Sequence, residues 1–147
     1  MKIIVCLDEK GGMLFNNRRQ SSDRIIRQDM LQMLGEQKLY VNAYTAKQFA
    51  EEEMDKLVVD EECLEKAETD DLVFVENIHV GEHVSKVEQV IVYRWERTYP
   101  ADFFFDIDLA SKEWMLLTEQ EFAGHSHEVI WKEIYVRAEG ETTNETM

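Results

Sequence analysis

The stretch Ile3-Ile4-Val5-Cys6-Leu7 decides the fold class, because five successive positions carry no charged or strongly polar side chain. A short, continuous apolar run of this kind predicts a central β-strand buried on both faces, which is typical of parallel sheets. The polar segment Asp8-Glu9-Lys10-Gly11-Gly12 ends the strand. Later strands are therefore expected on both sides of this first one.

Further strands and helices alternate along the next ninety residues. A helix is predicted to begin at Ser21-Ser22-Asp23, where Asp23 serves as N-cap, and to end at Gly35. Its apolar face is Ile25, Ile26, Met30, Leu31 and Leu34. Shorter helices are predicted over Ala46–Met54 with Thr45 as cap, over Glu61–Ala67 and over Val80–Val87. Apolar runs predict strands at Leu39-Tyr40-Val41, Leu57-Val58-Val59, Leu72-Val73-Phe74-Val75 and Val90–Trp95.

The last third of the chain has a different pattern. Two long strand-like segments, Trp114-Met115-Leu116-Leu117 and Val129–Val136, flank a polar turn around Gly124 and predict an antiparallel hairpin. The predicted fold is α/β, with a mixed, mainly parallel sheet of about eight strands, about four short helices and this C-terminal hairpin. Residues 1–137 are predicted to form a single domain, and 138–147 a disordered tail.

Charge and composition limit the function. The net charge is −15, with +3 over residues 1–50 and −18 over residues 51–147. Because a chain this acidic repels the phosphate backbones of nucleic acids, we predict no nucleic-acid binding. No segment has the roughly 18 apolar residues of a membrane helix, and we expect a cytoplasmic protein. The two cysteines, Cys6 and Cys63, show neither a disulfide framework nor a zinc-binding pattern and are expected in the core.

The order of these segments resembles dihydrofolate reductase and the related riboflavin-pathway reductases. The resemblance comprises the strand Ile3–Asp8, the Gly11-Gly12 pair, a loop over Asn16–Ser22 and Asp23 at the helix start. It continues through Ile91–Trp95, the segment Ala101–Asp108 and the closing hairpin. The match covers nearly the whole chain. It implies a reductase-like fold and places Asp23 where the family has its pterin-binding carboxylate.

Three positions depart from the reductase pattern. The family has Gly-Arg-x-Thr after its second strand, where the turn holds the cofactor phosphates, but this chain has Asn42-Ala43-Tyr44-Thr45, of which only Thr45 matches. A later Gly-Gly pair is replaced by Glu76-Asn77. The Pro-Trp of the mobile loop is replaced by Arg18-Arg19. We therefore predict no cofactor and consider NADPH binding disfavoured.

A second resemblance concerns the segment from Leu7 to Ser21, which is similar to small bacterial proteins described as ribonuclease Z. That resemblance implies a hydrolase with two zinc ions bound by an HxHxDH motif. This chain has only His125-Ser126-His127-Glu128. His125 and His127 would share one face of a strand and are weak candidates for metal ligands, with exposed loop histidines as the favoured alternative.

Candidate site residues follow from the predicted topology. Arg18, Arg19 and Asp23 would lie beside the ends of the first strands, where ligands of open α/β sheets bind. Two guanidinium groups could hold a carboxylate or a phosphate, or could pair with the chain's own acidic residues. Asp23 could act as an acid if desolvated, or serve only as an N-cap. No catalytic residue is assigned beyond Asp23 as a weak candidate.

Four functions remain open at this stage. The favoured one is a non-canonical reductase-like protein without reductase activity, which binds a small ligand or a protein partner in the cleft bounded by Arg18, Arg19, Asp23, Thr45 and Asn77. The alternatives are an NAD(P)H-dependent reductase with an altered cofactor site, an acidic protein that docks a basic partner through residues 51–147, and, last, a ribonuclease Z-type hydrolase.

Overall fold

The computed structural model describes residues 1–138. Its strands are β1 (Lys2–Leu7), β2 (Gly12–Phe15), β3 (Arg18–Arg19), β4 (Leu39–Val41), β5 (Leu57–Val59), β6 (Leu72–Phe74), β7 (Gln89–Trp95), β8 (Phe103–Phe104), β9 (Trp114–Phe122) and β10 (Ile130–Arg137). Its α-helices are α1 (Arg24–Met33), α2 (Ala43–Ala46) and α3 (Cys63–Lys66), and 3-10 helices cover Glu51–Lys56 and Gly81–Lys86.

A seven-stranded sheet with the order β5-β4-β6-β1-β7-β10-β9 forms the centre of the molecule. Every ladder from β5 to β7 is parallel, whereas β10 runs antiparallel to both β7 and β9. The predicted α/β fold, with its mainly parallel sheet and C-terminal hairpin, is therefore confirmed. A separate three-stranded sheet, β3-β2-β8, adds short strands that the sequence did not predict.

The apolar run in β1 is buried on both faces, as predicted. Ile3, Val5 and Leu7 belong to one core cluster, while Ile4 belongs to the other, against which Cys6 packs. The second cluster includes Phe49 and four of the five residues of the predicted apolar face of α1, namely Ile26, Met30, Leu31 and Leu34. Gly35 has φ +59 just after α1, which is the left-handed conformation expected where a glycine ends a helix.

Two local predictions were wrong. The first half of the predicted loop over Asn16–Ser22 forms the turn and the second strand of the hairpin β2–β3. Its central residues Asn16 and Asn17 have φ of 53° and 63°, a conformation that asparagine tolerates better than most residues. Thr45 does not cap a helix over Ala46–Met54. Asn42 caps α2 instead, because its Oδ1 accepts a hydrogen bond from the backbone N–H of Thr45 at 3.0 Å.

The C-terminal boundary is only partly described. The backbone N–H of Ala138 donates to the carbonyl oxygen of Glu113 at 2.9 Å, next to the end of β10. The rest of the predicted disordered tail, residues 139–147, lies outside the described residues. In residues 1–138, no helix combines the length and the apolar character that crossing a membrane requires.

Candidate functional site

The turns that follow β4 and β6 are joined directly by their side chains. Asn42 Nδ2 donates a hydrogen bond to Asn77 Oδ1 at 2.8 Å. The other end of the Asn42 amide caps α2, so both of its polar atoms are engaged within the protein. Thr45 is fully buried one turn further on, and its hydroxyl has no hydrogen-bond partner among the described residues.

Arg19 bridges the same two turns from the β2–β3 hairpin. Its Nε and Nη2 donate to the two carboxylate oxygens of Glu76 at 2.9 and 3.0 Å, a bidentate pair. Nη2 also donates to the carbonyl oxygen of Tyr44 at 3.3 Å, and the guanidinium lies 4.6 Å from the centre of the Tyr44 ring. The Arg19 side chain therefore occupies the position between the ends of β4 and β6.

Gln48 extends this network toward the start of α1. Its Nε2 donates to Glu76 Oε1 at 3.0 Å, and its Oε1 accepts from the hydroxyl of Ser22 at 3.3 Å. A continuous set of side-chain hydrogen bonds thus runs from Arg19 through Glu76 and Gln48 to Ser22, the neighbour of Asp23.

The electrostatics of this network favour a closed ion pair. The hydrogen bond to Glu76 raises the pKa of Arg19, although burial acts in the opposite direction. Burial raises the pKa of the nearby Cys6 thiol well above its usual value, and the charge of Glu76 raises it further. Cys6 is therefore an uncharged, partly buried thiol packed against the core and not a thiolate nucleophile.

Asp23 accepts four hydrogen bonds and is only 2% exposed. One comes from the backbone N–H of Ile25, as expected for an N-cap, at 2.9 Å. The other three come from the loop over residues 123–129 between β9 and β10: the backbone N–H groups of His125 and Ser126, both at 2.9 Å, and Nδ1 of His127 at 3.0 Å. Burial alone would raise the pKa of Asp23, but these hydrogen bonds lower it from 3.8 to about 2.

The β9–β10 loop can approach Asp23 because residue 124 is glycine. A Cβ at Gly124 would lie 2.6 Å from Asp23 Oδ2 and 2.5 Å from Ile130 Cδ1, which is closer than atoms in proteins approach. The loop is closed on itself by a hydrogen bond from the N–H of Gly124 to the carbonyl oxygen of His127 at 2.9 Å.

His127 is not the exposed loop histidine that the sequence favoured. Its ring stacks on Trp95 with 4.3 Å between ring centres and 26° between ring planes. Nε2 lies 2.9 Å from the hydroxyl of Ser21 and 3.3 Å from that of Tyr99. His125 is exposed and supplies only its backbone N–H to Asp23.

The two histidines belong to no cluster of three potential metal ligands in the described part of the chain. Residues 1–138 contain no group of three or more His, Cys, Asp or Glu side chains with a metal-binding arrangement. The mixed sheet built around β1 also differs from the metallo-β-lactamase fold that the ribonuclease Z resemblance implies, so that resemblance does not extend to the architecture.

Two open clefts flank these closed clusters. One, of about 400 Å³, is lined by His127 and Ser126 of the loop and by Arg97 and Tyr99 after β7. The other, of about 470 Å³, lies at the carboxyl ends of β1 and β7 and includes Gly11, Arg94 and Phe105. Both volumes fall within the range of small-molecule sites.

The structure divides the predicted site residues into three groups. Arg19, Thr45 and Asn77 lie in the cluster at the ends of β4 and β6, and Asp23 lies in the neighbouring cluster with the β9–β10 loop. Arg18 is exposed on β3 and joins neither. Sequence reasoning missed His127 as the neighbour of Ser21 and Asp23, because no local spacing links residues that are more than a hundred positions apart in the chain.

Comparisons with known proteins agree with the fold and go no further. No protein-family model matches the sequence, and no curated protein matches it. Among solved structures, the chain is similar to dihydrofolate reductase from Enterococcus faecalis in complex with NADP(H) and RAB-propyl. The TM-score is 0.62, and the match covers 93% of this chain and 96% of that one at 12% sequence identity. The chain therefore has a dihydrofolate reductase-like fold, as predicted from the order of its segments.

Proposed function

We propose that this protein is a non-canonical member of the reductase fold that binds a small ligand or a protein partner and does not transfer hydride from a nicotinamide cofactor. The observation that carries the proposal is the bidentate pair between Arg19 and Glu76, which occupies the space between the ends of β4 and β6. The resemblance implies that these two strand ends correspond to the turns with which the reductases bind their cofactor.

Displacing this pair would be costly. The Glu76 side chain is 8% exposed and that of Arg19 is 26% exposed, so a dinucleotide that separated them would leave a buried carboxylate without its cation. The same carboxylate would also face the incoming phosphates and repel them. Both effects oppose cofactor binding at this position.

The pterin half of the reductase site is also engaged internally. The resemblance implies that Asp23 corresponds to the pterin-binding carboxylate, but the loop over residues 123–129 supplies three of its four hydrogen bonds. A pterin ring would have to compete with those donors. This supports a protein that no longer binds the reductase substrates.

Arg18, Arg19, Asp23, Thr45 and Asn77 remain the proposed boundary of the ligand site. Among them, Arg18 exposes its charge to solvent and forms no ion pair within the described residues. An anionic group of a ligand or partner would therefore contact Arg18 first.

An NADPH titration followed by calorimetry tests the proposal. We expect no saturable heat for the wild-type protein at concentrations that saturate a dihydrofolate reductase measured in parallel. Lys38→Ala is the matched control, since it removes an exposed cation that precedes β4, at the opposite end of that strand from the Arg19–Glu76 pair. Saturable binding to the wild type that Lys38→Ala preserves and Arg19→Ala abolishes would favour the reductase with an altered cofactor site.

A second candidate, docking of a basic protein, is favoured by the edge strand β9. It is the outer strand of the sheet, and Met115, Leu116 and Leu117 are 49%, 44% and 55% exposed. Glu119 and Glu121 are also exposed on the same strand. An extended segment rich in lysine or arginine could pair with this edge and complement its charge.

A pull-down at two salt concentrations tests this second candidate. We expect a captured partner to be lost at moderate salt, because exposed charges are screened within about 10 Å at 0.1 M. Leu117→Lys should abolish capture, whereas Val59→Lys, which alters a similarly exposed apolar residue on the opposite edge strand β5, should not. Equal capture by both variants would argue against β9.

A further inference from the structure

Three side chains outside the filled cofactor position are hydrogen-bonded to one another in the order found in catalytic triads: a nucleophile, a base and an acid that orients the base. The hydroxyl of Ser21 lies 2.9 Å from Nε2 of His127, and Nδ1 of the same ring lies 3.0 Å from Oδ2 of Asp23. We propose that Ser21, His127 and Asp23 form a catalytic site that hydrolyses small acyl esters. Such triads are recognised by geometry and roles and not by their positions in sequence.

Asp23 is suited to the orienting role. It is fixed at the start of α1 and held by backbone N–H groups from two elements, Ile25 on α1 and His125 and Ser126 on the loop. Its position therefore does not depend on the histidine that it orients. A carboxylate on Nδ1 selects the tautomer in which Nε2 is free to accept a proton.

The ring of His127 is fixed from a second side. It stacks on Trp95, which is 1% exposed, so the plane of the imidazole is set by the core. The His127 side chain is itself 12% exposed. A base whose rotation is restricted by packing keeps Nε2 directed at Ser21 without further cost in entropy.

Ser21 is the nucleophile because it combines contact with the base and partial exposure. It lies between β3 and α1 and is half-buried. The hydroxyl of Tyr99 lies 3.3 Å from the same Nε2 and is therefore near the reacting atoms. A tyrosine hydroxyl can donate to the negative oxygen that develops on an attacked carbonyl.

The cleft next to His127 indicates the class of substrate. It measures about 400 Å³ and is lined by Tyr99, Val129 and Ser126, with the charged Arg97, Glu96 and Glu128 around them. This volume accommodates a small ester, and two carboxylates against one guanidinium at the cleft favour an ester without negative charge.

The reaction needs only water besides the ester. Ser21 Oγ forms a bond with the acyl carbon while its proton passes to Nε2 of His127. The ester C–O bond then breaks, and the leaving alkoxide takes that proton and departs as an alcohol. Water attacks the acyl-serine in the same way, releasing the carboxylic acid and returning the proton to Ser21.

This activity does not depend on the filled cofactor position, since no hydrogen bond within residues 1–138 joins Ser21, His127 or the Asp23 side chain to Arg19 or Glu76. The hydrolase site and the proposed absence of hydride transfer can therefore be tested separately.

The test is covalent labelling with a fluorophosphonate probe, read by intact mass and peptide mapping, together with hydrolysis of p-nitrophenyl acetate. We expect one label per chain at Ser21, and none in Ser21→Ala. Ser22→Ala is the matched control, because Ser22 is the neighbouring serine and bonds to Gln48 and Arg27 instead of His127. We expect it to label as the wild type does.

Substitution of the base tests the mechanism. His127→Gln should slow labelling of Ser21 roughly 100-fold, which is within the usual contribution of general base catalysis. Asp23→Asn should slow it as well, and thermal melts must show that the variant is folded under the assay conditions. The proposal is overturned if the wild type is not labelled, if Ser21→Ala is labelled equally, or if folded His127→Gln reacts at the wild-type rate.

Discussion

Replacing Asp23 by asparagine should destabilise the protein in a manner that depends on pH. The fall in its pKa from 3.8 to about 2 corresponds to roughly 2.5 kcal/mol of folding stability at pH 7. Because the pKa is lower in the folded state, this stability is fully present above about pH 4 and is lost as the pH falls through about 2.

Urea unfolding of the wild type and Asp23→Asn at two pH values measures this contribution. We expect the difference in unfolding free energy between the two proteins to be roughly 2.5 kcal/mol at pH 7 and about 1 kcal/mol smaller at pH 3. At pH 3, Asp23 is mostly ionised in the folded protein but mostly protonated in the unfolded chain. Using the difference between two proteins removes the effect of the many other carboxylates.

The control is Asp55→Asn, which removes the same charge from the exposed 3-10 helix Glu51–Lys56. Its unfolding free energy should differ from that of the wild type by less than about 0.5 kcal/mol. A difference for Asp23→Asn that is as small as this, or one that stays constant between pH 7 and pH 3, would refute the account of Asp23 as an ionised anchor for the β9–β10 loop.

Three further outcomes are expected. Gly124→Ala should lower the free energy of unfolding by about 2 kcal/mol, seen as a lower urea midpoint, because the Cβ of the new alanine would collide with Asp23 Oδ2. An unchanged midpoint would show that the β9–β10 loop can move away freely. Glu76→Ala should lower the unfolding free energy by about 2 kcal/mol in the same assay, whereas Arg18→Ala should change it by less than about 0.5 kcal/mol. Cys63, whose pKa burial raises to about 11, should resist a thiol reagent at pH 8 until denaturant is added, and rapid labelling of the native protein would contradict its burial.

The sheet could be predicted from sequence because its strands carry continuous apolar runs. The run Ile3–Leu7 has partners on both sides, and its residues contribute alternately to the two core clusters, as the strand period requires. The N-cap of α1 could also be predicted from the sequence, since Asp23 directly precedes the apolar helical pattern.

The site was less predictable because its contacts join distant segments. Glu76 could be identified as a charge unsuited to pyrophosphate, but the sequence gives no sign that Arg19 is its partner, since the β2–β3 hairpin was expected to be a loop. The burial of His127 depends on the loop that Gly124 allows to fold against Asp23. Long-range pairs of this kind depend on tertiary packing, and the periodicity of the sequence does not reveal them.

The position of β1 has a consequence for synthesis of the protein. This strand precedes β6 and β7 in the chain but pairs with both, so that Ile3 meets Val73 and Val90. During translation its apolar side chains therefore have no strand partner until Phe74 has emerged from the ribosome, and one edge of the strand stays unpaired until Trp95 follows. Because unpaired apolar strands favour aggregation, we expect chaperone binding to help this protein fold during synthesis.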